Sequence, residues 1–196
     1  MLACLVERMH PRKVVLPINL SREYTNLVEA GGGTVEMSRT GLGNVAIRAA
    51  GVGADLASLA DGRYIFPAFL PAPDCFMTLA GALEVFRETP LSGVRRGFGD
   101  SFGHVLRERV ECPWSAKGRV MRGLAERFGA DPDAILSEGV LLGVEEGWVL
   151  MLPDPDSPVF YVYAESGQGN ARPTEIMEEY VDLVKSLIED QAMLSS

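Results

Sequence analysis

The 196 residues are 47% hydrophobic and 23% charged with a mean hydropathy of +0.10, a balance that suits a folded protein with room for one large domain or two small ones. A formal charge of −9 and a pI near 4.8 set up a negative field that repels polyanions, so nucleic acid is not an expected partner. No stretch approaches about 18 uninterrupted apolar residues, and Cys4, Cys75 and Cys112 are spread without CxxC spacing; a membrane span, a disulfide framework and a structural zinc site are therefore not expected, and the setting reads as reducing and cytoplasmic.

Leu2, Leu5, Val6 and Met9 have helical spacing, and the chain passes through His10-Pro11 into Val14-Val15-Leu16, a short apolar run suited to a buried strand. Ser21 is the expected N-cap of a second helix with Tyr24, Leu27 and Val28 on its apolar stripe, stopped at Gly31-Gly32-Gly33. Thr34 to Met37 alternates as a strand, Val45, Ala46 and Ala49 suggest a short helix that ends at the 51–53 glycine turn, and Tyr64-Ile65-Phe66 reads as a further strand. From Pro73 to about Glu88, the spacing of Phe76, Leu79, Ala80, Leu83 and Phe86 predicts a helix with one broad buried face. Strands alternating with helices predict an α/β domain with a mixed, mostly parallel sheet over residues 1–92. The glycine-rich stretch from Pro90 to Gly103, with Arg95-Arg96 as a solvated turn, places a linker at 93–103.

Residues 104–196 read as a small α+β domain. Val105 to Val110 alternates as a half-exposed strand ended by Pro113, and a helix follows from about Ser115 to Phe128. Strands are expected at Gly139–Val144, Gly147–Leu152 and Val159–Glu165, with a hairpin loop at Glu145-Glu146-Gly147. A last helix from about Pro173 carries Ile176, Met177, Tyr180, Val181, Val184, Leu187 and Ile188 on one stripe. The predicted order is β-α-β-β-β-α, with helices on one sheet face.

Convergent titratable groups are scarce. His10 and His104 read as surface histidines outside any nucleophile motif, and the glycine clusters at 31–33 and 51–53 match neither GxGxxG nor a P-loop, so they read as helix stops. The unusual string is Leu152-Pro153-Asp154-Pro155-Asp156-Ser157-Pro158, set between two strong strands. Its Asp-x-Asp pair raises a Mg²⁺ reading, but further carboxylates at loop spacing are missing, and a Pro/Asp structural turn is the better reading; no metal site is assigned.

At these residues the sequence resembles the C-terminal half of the α-D-phosphohexomutases, which interconvert sugar 1-phosphates and 6-phosphates through a phosphoserine, using four domains around one cleft. Asp61-Gly62-Arg63-Tyr64-Ile65-Phe66-Pro67 and Phe69-Leu70-Pro71-Ala72-Pro73-Asp74 resemble the family's third-domain stretch of sugar loop, strand and helix. Cys112-Pro113-Trp114, Lys117-Gly118-Arg119-Val120-Met121 and Val162-Tyr163-Ala164-Glu165 resemble its fourth domain, of the small TBP-like kind. The family's sugar loop, Gly-Glu-x-Ser-Gly-His, falls on Ser58 to Arg63, which puts Leu59 and Asp61 in place of the Glu and Ser that bind sugar hydroxyls, followed by Gly62 and Arg63. The phosphate loop, Arg-Pro-Ser-Gly-Thr-Glu-Pro, falls on Leu152, Asp154, Pro155, Asp156 and Ser157, so the Arg, Ser, Gly and Thr positions hold Leu152, Asp154, Pro155 and Asp156. With two carboxylates expected to face the phosphate, repulsion on the order of 1 kcal/mol or more opposes binding. The wording of both stretches is similar to a branch in which a mutase-like region follows a sugar-1-phosphate nucleotidyltransferase of the mannose-1-phosphate guanylyltransferase kind.

The resemblance implies no catalytic residue and no cofactor in this chain, since the family's phosphoserine loop and Mg²⁺ loop lie in the N-terminal half. The expected partners are a phosphosugar, the absent N-terminal domains or a chain that supplies them, and a second copy through apolar surface those domains would cover. The favoured expectation is a non-catalytic portion of a phosphosugar or nucleotide-sugar enzyme. An active mutase completed by a partner, and a cation- or sugar-sensing module built on Asp154 and Asp156, are the alternatives.

Overall fold

The computed structural model describes residues 1–88, 93, 105–144, 147–166 and 173–193. The chain divides into two units, Met1–Phe102 and Gly103–Ser196. The expected linker, His104, Arg95-Arg96 and the Glu145-Glu146 hairpin tip lie outside the described residues, apart from Gly93.

The first unit contains α1 (Leu2–Met9), β1 (Lys13–Pro17), α2 (Glu23–Ala30), β2 (Thr34–Ser38), α3 (Leu42–Val52), β3 (Leu56–Ser58), β4 (Tyr64–Phe66), β5 (Leu70–Pro73) and α4 (Cys75–Glu88). Its sheet runs β2-β1-β3-β4-β5. Alternation along β1 splits the core in two: Val14 and Leu16 pack with Leu2, Leu5, Val6 and Val28 on one face, whereas Val15 packs with Val45, Ala49 and Leu59 on the other. A central strand buried on both faces has to be apolar throughout, which is why Val14-Val15-Leu16 shows no polar alternation.

The sheet is less parallel than the sequence suggests. β1 pairs in parallel with β2 and β3, but β3-β4 and β4-β5 are antiparallel. The links from β3 through β5 are only a few residues long, too short for the crossover a parallel pair requires. β5, with Pro71 and Pro73, sits at the sheet edge, where missing N–H donors do no harm.

The last helix of this unit also departs from expectation. Asp74 Oδ1 accepts hydrogen bonds from the N–H groups of Phe76 (2.8 Å) and Met77 (2.9 Å), an N-cap that fixes where α4 starts. From that start, the inward face of α4 is Met77, Gly81 and Ala82, not the expected stripe. A Cβ on Gly81 would stand 2.8 Å from Leu5 Cδ2 of α1, so glycine permits that close approach. Phe76, Leu79, Leu83 and Phe86 are exposed by 80, 55, 61 and 36%. The face predicted as buried is the solvent face.

The second unit contains β6 (Leu106–Glu111), α5 (Trp114–Phe128), β7 (Val140–Val144), β8 (Gly147–Pro153), β9 (Val159–Ser166) and α6 (Pro173–Met193). The antiparallel sheet runs β6-β9-β8-β7. Val120 and Leu124 of α5 and Met177, Val181 and Val184 of α6 pack on Val110, Val149, Met151, Phe160, Val162 and Ala164. On the opposite face Trp148, Leu150, Leu152 and Tyr163 are also buried, and the Trp148 indole N–H donates to the buried Glu165 carboxylate. No helix among the described residues is long and apolar enough to cross a membrane.

Candidate functional site

The residues singled out from the sequence fall on two separate turns, one in each unit. In the first unit, residues 59–63 form the hairpin turn between β3 and β4. Leu59 N–H donates to the Arg63 carbonyl (2.9 Å) and Gly62 N–H to the Leu59 carbonyl (3.2 Å), with Gly62 at φ +84°. This is a three-residue loop closed by a residue in the left-handed region, which glycine enters without a Cβ penalty. The same turn aims Leu59 into the core beside Val15, Val45 and Ile65. It leaves Asp61, Gly62 and Arg63 exposed. Arg63 Nη2 lies 2.6 Å from Asp61 Oδ2, and Arg63 Nε 2.9 Å from the same oxygen. The Arg63 guanidinium holds the Asp61 carboxyl below its usual range through this hydrogen bond, more than burial raises it. Leu59 is thus a core residue, and the two charges beside it satisfy one another.

In the second unit, residues 154–158 join β8 to β9. Leu152 is buried within β8 opposite Tyr161 and is a residue of the sheet. Asp154 does not face outward as its charge suggests. Its Oδ1 accepts from Asp156 N–H (2.8 Å), Ser157 N–H (2.8 Å) and the Ser157 hydroxyl (2.7 Å). Asp154 N–H donates to the Val159 carbonyl (3.0 Å) and Val159 N–H to the Ser157 carbonyl (2.8 Å). Pro153, Pro155 and Pro158 carry no N–H. Every backbone donor from 153 to 159 is therefore spent inside the loop.

Lys117, which the sequence reading left out of the site, ties the loop to α5. Its ammonium donates to the carbonyls of Asp154 and Ser157 and sits 3.9 Å from the centroid of the Trp114 ring. The signal was present in the sequence: Trp114 and Lys117 are three apart in the first turn of a helix, where they share a face. Cys112 N–H adds a bond to the Pro158 carbonyl (2.8 Å), and burial pushes the Cys112 thiol pKa up. Burial also raises the Asp154 carboxyl, but the Ser157 hydroxyl, the two N–H donors and the Lys117 ammonium together outweigh it and hold the pKa below the ordinary value. The Asp154 carboxylate thus holds the Asp156 and Ser157 N–H groups and the Ser157 hydroxyl.

Among the described residues no three His, Cys, Asp or Glu side chains converge, and Asp154 and Asp156 do not act as a pair, since the Asp154 oxygen points back onto the Asp156 N–H.

No family model matches the chain. It is 28% identical over 189 residues to a probable phosphoglucosamine mutase from Methanopyrus kandleri, covering 95% of this chain and 41% of that protein. It superimposes with a TM-score of 0.76 on a phosphoglucomutase/phosphomannomutase family protein from Burkholderia thailandensis, at 17% identity over 95% of this chain and 40% of that one. With parafusin, a phosphoglucomutase from Paramecium, the TM-score is 0.71 at 10% identity over 96% and 40% of the two chains. The chain spans about two fifths of the curated relatives it matches. Its relatives and structural neighbours are phosphoglucosamine mutases, phosphoglucomutases and phosphomannomutases of the α-D-phosphohexomutase superfamily.

Proposed function

We propose that this chain is the C-terminal portion of a phosphohexomutase-like protein of sugar-phosphate or nucleotide-sugar metabolism, and that it turns over no phosphosugar by itself. On this reading residues 1–92 correspond to the family's third domain and residues 104–196 to its small TBP-like fourth domain, joined through 93–103. The loop at 152–157 keeps its place between two strands, but its own carboxylate holds the donors a phosphate would need. That closed donor set is the observation that carries the proposal. Leu59, packed in the core at a position the family gives to a sugar-binding glutamate, points the same way. The wording of both stretches supports a place behind a sugar-1-phosphate nucleotidyltransferase.

A second reading, an active mutase whose remaining domains come from elsewhere, draws on one fact: the chain spans 41% of a relative named as a phosphoglucosamine mutase. One assay tests the proposal, and its binding readout separates the two. The purified chain is incubated with glucosamine 6-phosphate, Mg²⁺ and a sugar bisphosphate activator, and ³¹P NMR follows both isomerisation and binding. No new 1-phosphate signal and no shift of the substrate resonance are expected. Sustained isomerisation by the chain alone would overturn the proposal, and a saturable shift would show that the loop still takes phosphate.

A further inference from the structure

The outward face of α4 is apolar and exposed. Its inner face is already packed through Met77, Gly81 and Ala82, yet the larger apolar side chains, Phe76, Leu79, Leu83 and Phe86, line the outer face. A helix apolar on two opposed faces is stable in water only when both are covered. With Phe69 and Leu70, exposed by 66 and 41% in the turn and strand leading into the helix, these side chains present roughly 700 Å². That is more than the largest patch of a typical monomer and close to the ~800 Å² that each partner contributes to a stable interface.

We propose that the occupant is a second copy of this chain, docked as an antiparallel α4–α4 pair about a two-fold axis at Gly81. The exposed residues fall at i, i+3, i+7 and i+10, the seam spacing of a two-helix coiled coil. The seam reads Phe-Leu-Leu-Phe, and it reads the same from either end. In an antiparallel pair about a two-fold axis residue i meets the partner's residue j and j meets i, so this order stacks Phe on Phe and Leu on Leu. Phe76 then meets the partner's Phe86, and Leu79 meets the partner's Leu83. Near the axis the exposed side chain is Ala80, small enough to let the two backbones approach. The proposal does not depend on the state of the 152–157 loop.

Sedimentation velocity of the full chain over a wide concentration range tests it. A dimer is expected, weakened about 100-fold or more by Leu79→Glu or by Leu83→Glu, since each change strikes the seam twice. Ile47→Glu, at a site on α3 that is 76% exposed, should leave the dimer intact. All three sites are exposed, so far-UV circular dichroism should be unchanged. Orientation is read from a charge pair: Phe76→Glu and Phe86→Lys should each break the dimer, and the double variant should recover it, because only the antiparallel pairing sets the opposite charges against each other. A monomeric wild type, covered by another part of its own chain or by nothing, overturns the proposal. So does a dimer indifferent to Leu79→Glu and Leu83→Glu, and a double variant no better than its parents sinks the two-fold arrangement.

Discussion

Asp154 shows how little a charge in a sequence says about direction. Read as composition, Asp154 and Asp156 make the loop anionic. In the structure the first carboxylate is the loop's internal acceptor, and only Asp156 is exposed. Removing that acceptor leaves two N–H groups and a hydroxyl to find new partners, so Asp154→Ala is expected to lower unfolding stability by about 1–3 kcal/mol, whereas Asp156→Asn should stay within about 0.5. The pH dependence has a definite sign. The folded pKa of Asp154 lies below its unfolded value of about 3.9, so its contribution is complete at neutral pH and down to about pH 5. It is lost as the pH falls through the folded pKa. Urea melts of wild type and Asp154→Ala from pH 7 to pH 3 should therefore converge in acid, and a constant gap would show that the side chain contributes packing and not charge. Lys117 escaped the sequence reading for a related reason: its acceptors, the Asp154 and Ser157 carbonyls, lie about forty residues away in the chain and are brought close only by folding.

At the scale of elements, periodicity placed the helices well and failed where two solutions share one period. α1, α2 and α5 follow from apolar spacing within a residue or two and α3 lies where Val45, Ala46 and Ala49 suggest it, but the N-cap of α2 is Arg22 and not the expected Ser21, whose hydroxyl accepts from the Glu23 N–H (3.2 Å). In α4 the spacing is equally clear, but both faces are apolar, and ranking them by side-chain size selects the exposed one. Only the Asp74 cap and the approach of α1 at Gly81 decide which face turns inward. β3 was missed because Leu56-Ala57-Ser58 is too short for a pattern and runs straight into a hairpin, and with it went the antiparallel half of the sheet. Leu59 opens that hairpin and fills the core beneath it. Leu59→Ala is expected to cost about 2–4 kcal/mol by the cavity it leaves. Leu59→Glu should cost more, because a carboxylate would enter the cluster around Val15, Val45 and Ile65 without a partner. Chemical denaturation orders the two; a glutamate variant as stable as wild type would mean that this turn readily rotates outward.

At the scale of the whole molecule, the chain has separate cores. Val14 and Val15 sit in clusters drawn entirely from residues 2–77, whereas Val184 sits in one drawn entirely from residues 106–188. The change from long helix-strand alternation to a run of short-linked strands marks the same division in the sequence, because a β-α-β-β-β-α order closes an antiparallel sheet without borrowing strands from the first unit. If each core is cooperative in itself, damage to one stays local. Val184→Ala should cost about 1–3 kcal/mol and raise amide exchange in β6, α5, β8, β9 and α6, while protection in β1 and β3 remains as in wild type. Val14→Ala should give the reverse pattern. Hydrogen exchange measured by mass spectrometry on the intact chain reads both in one experiment. Exchange rising in both sheets after either substitution would mean that the two units unfold as one.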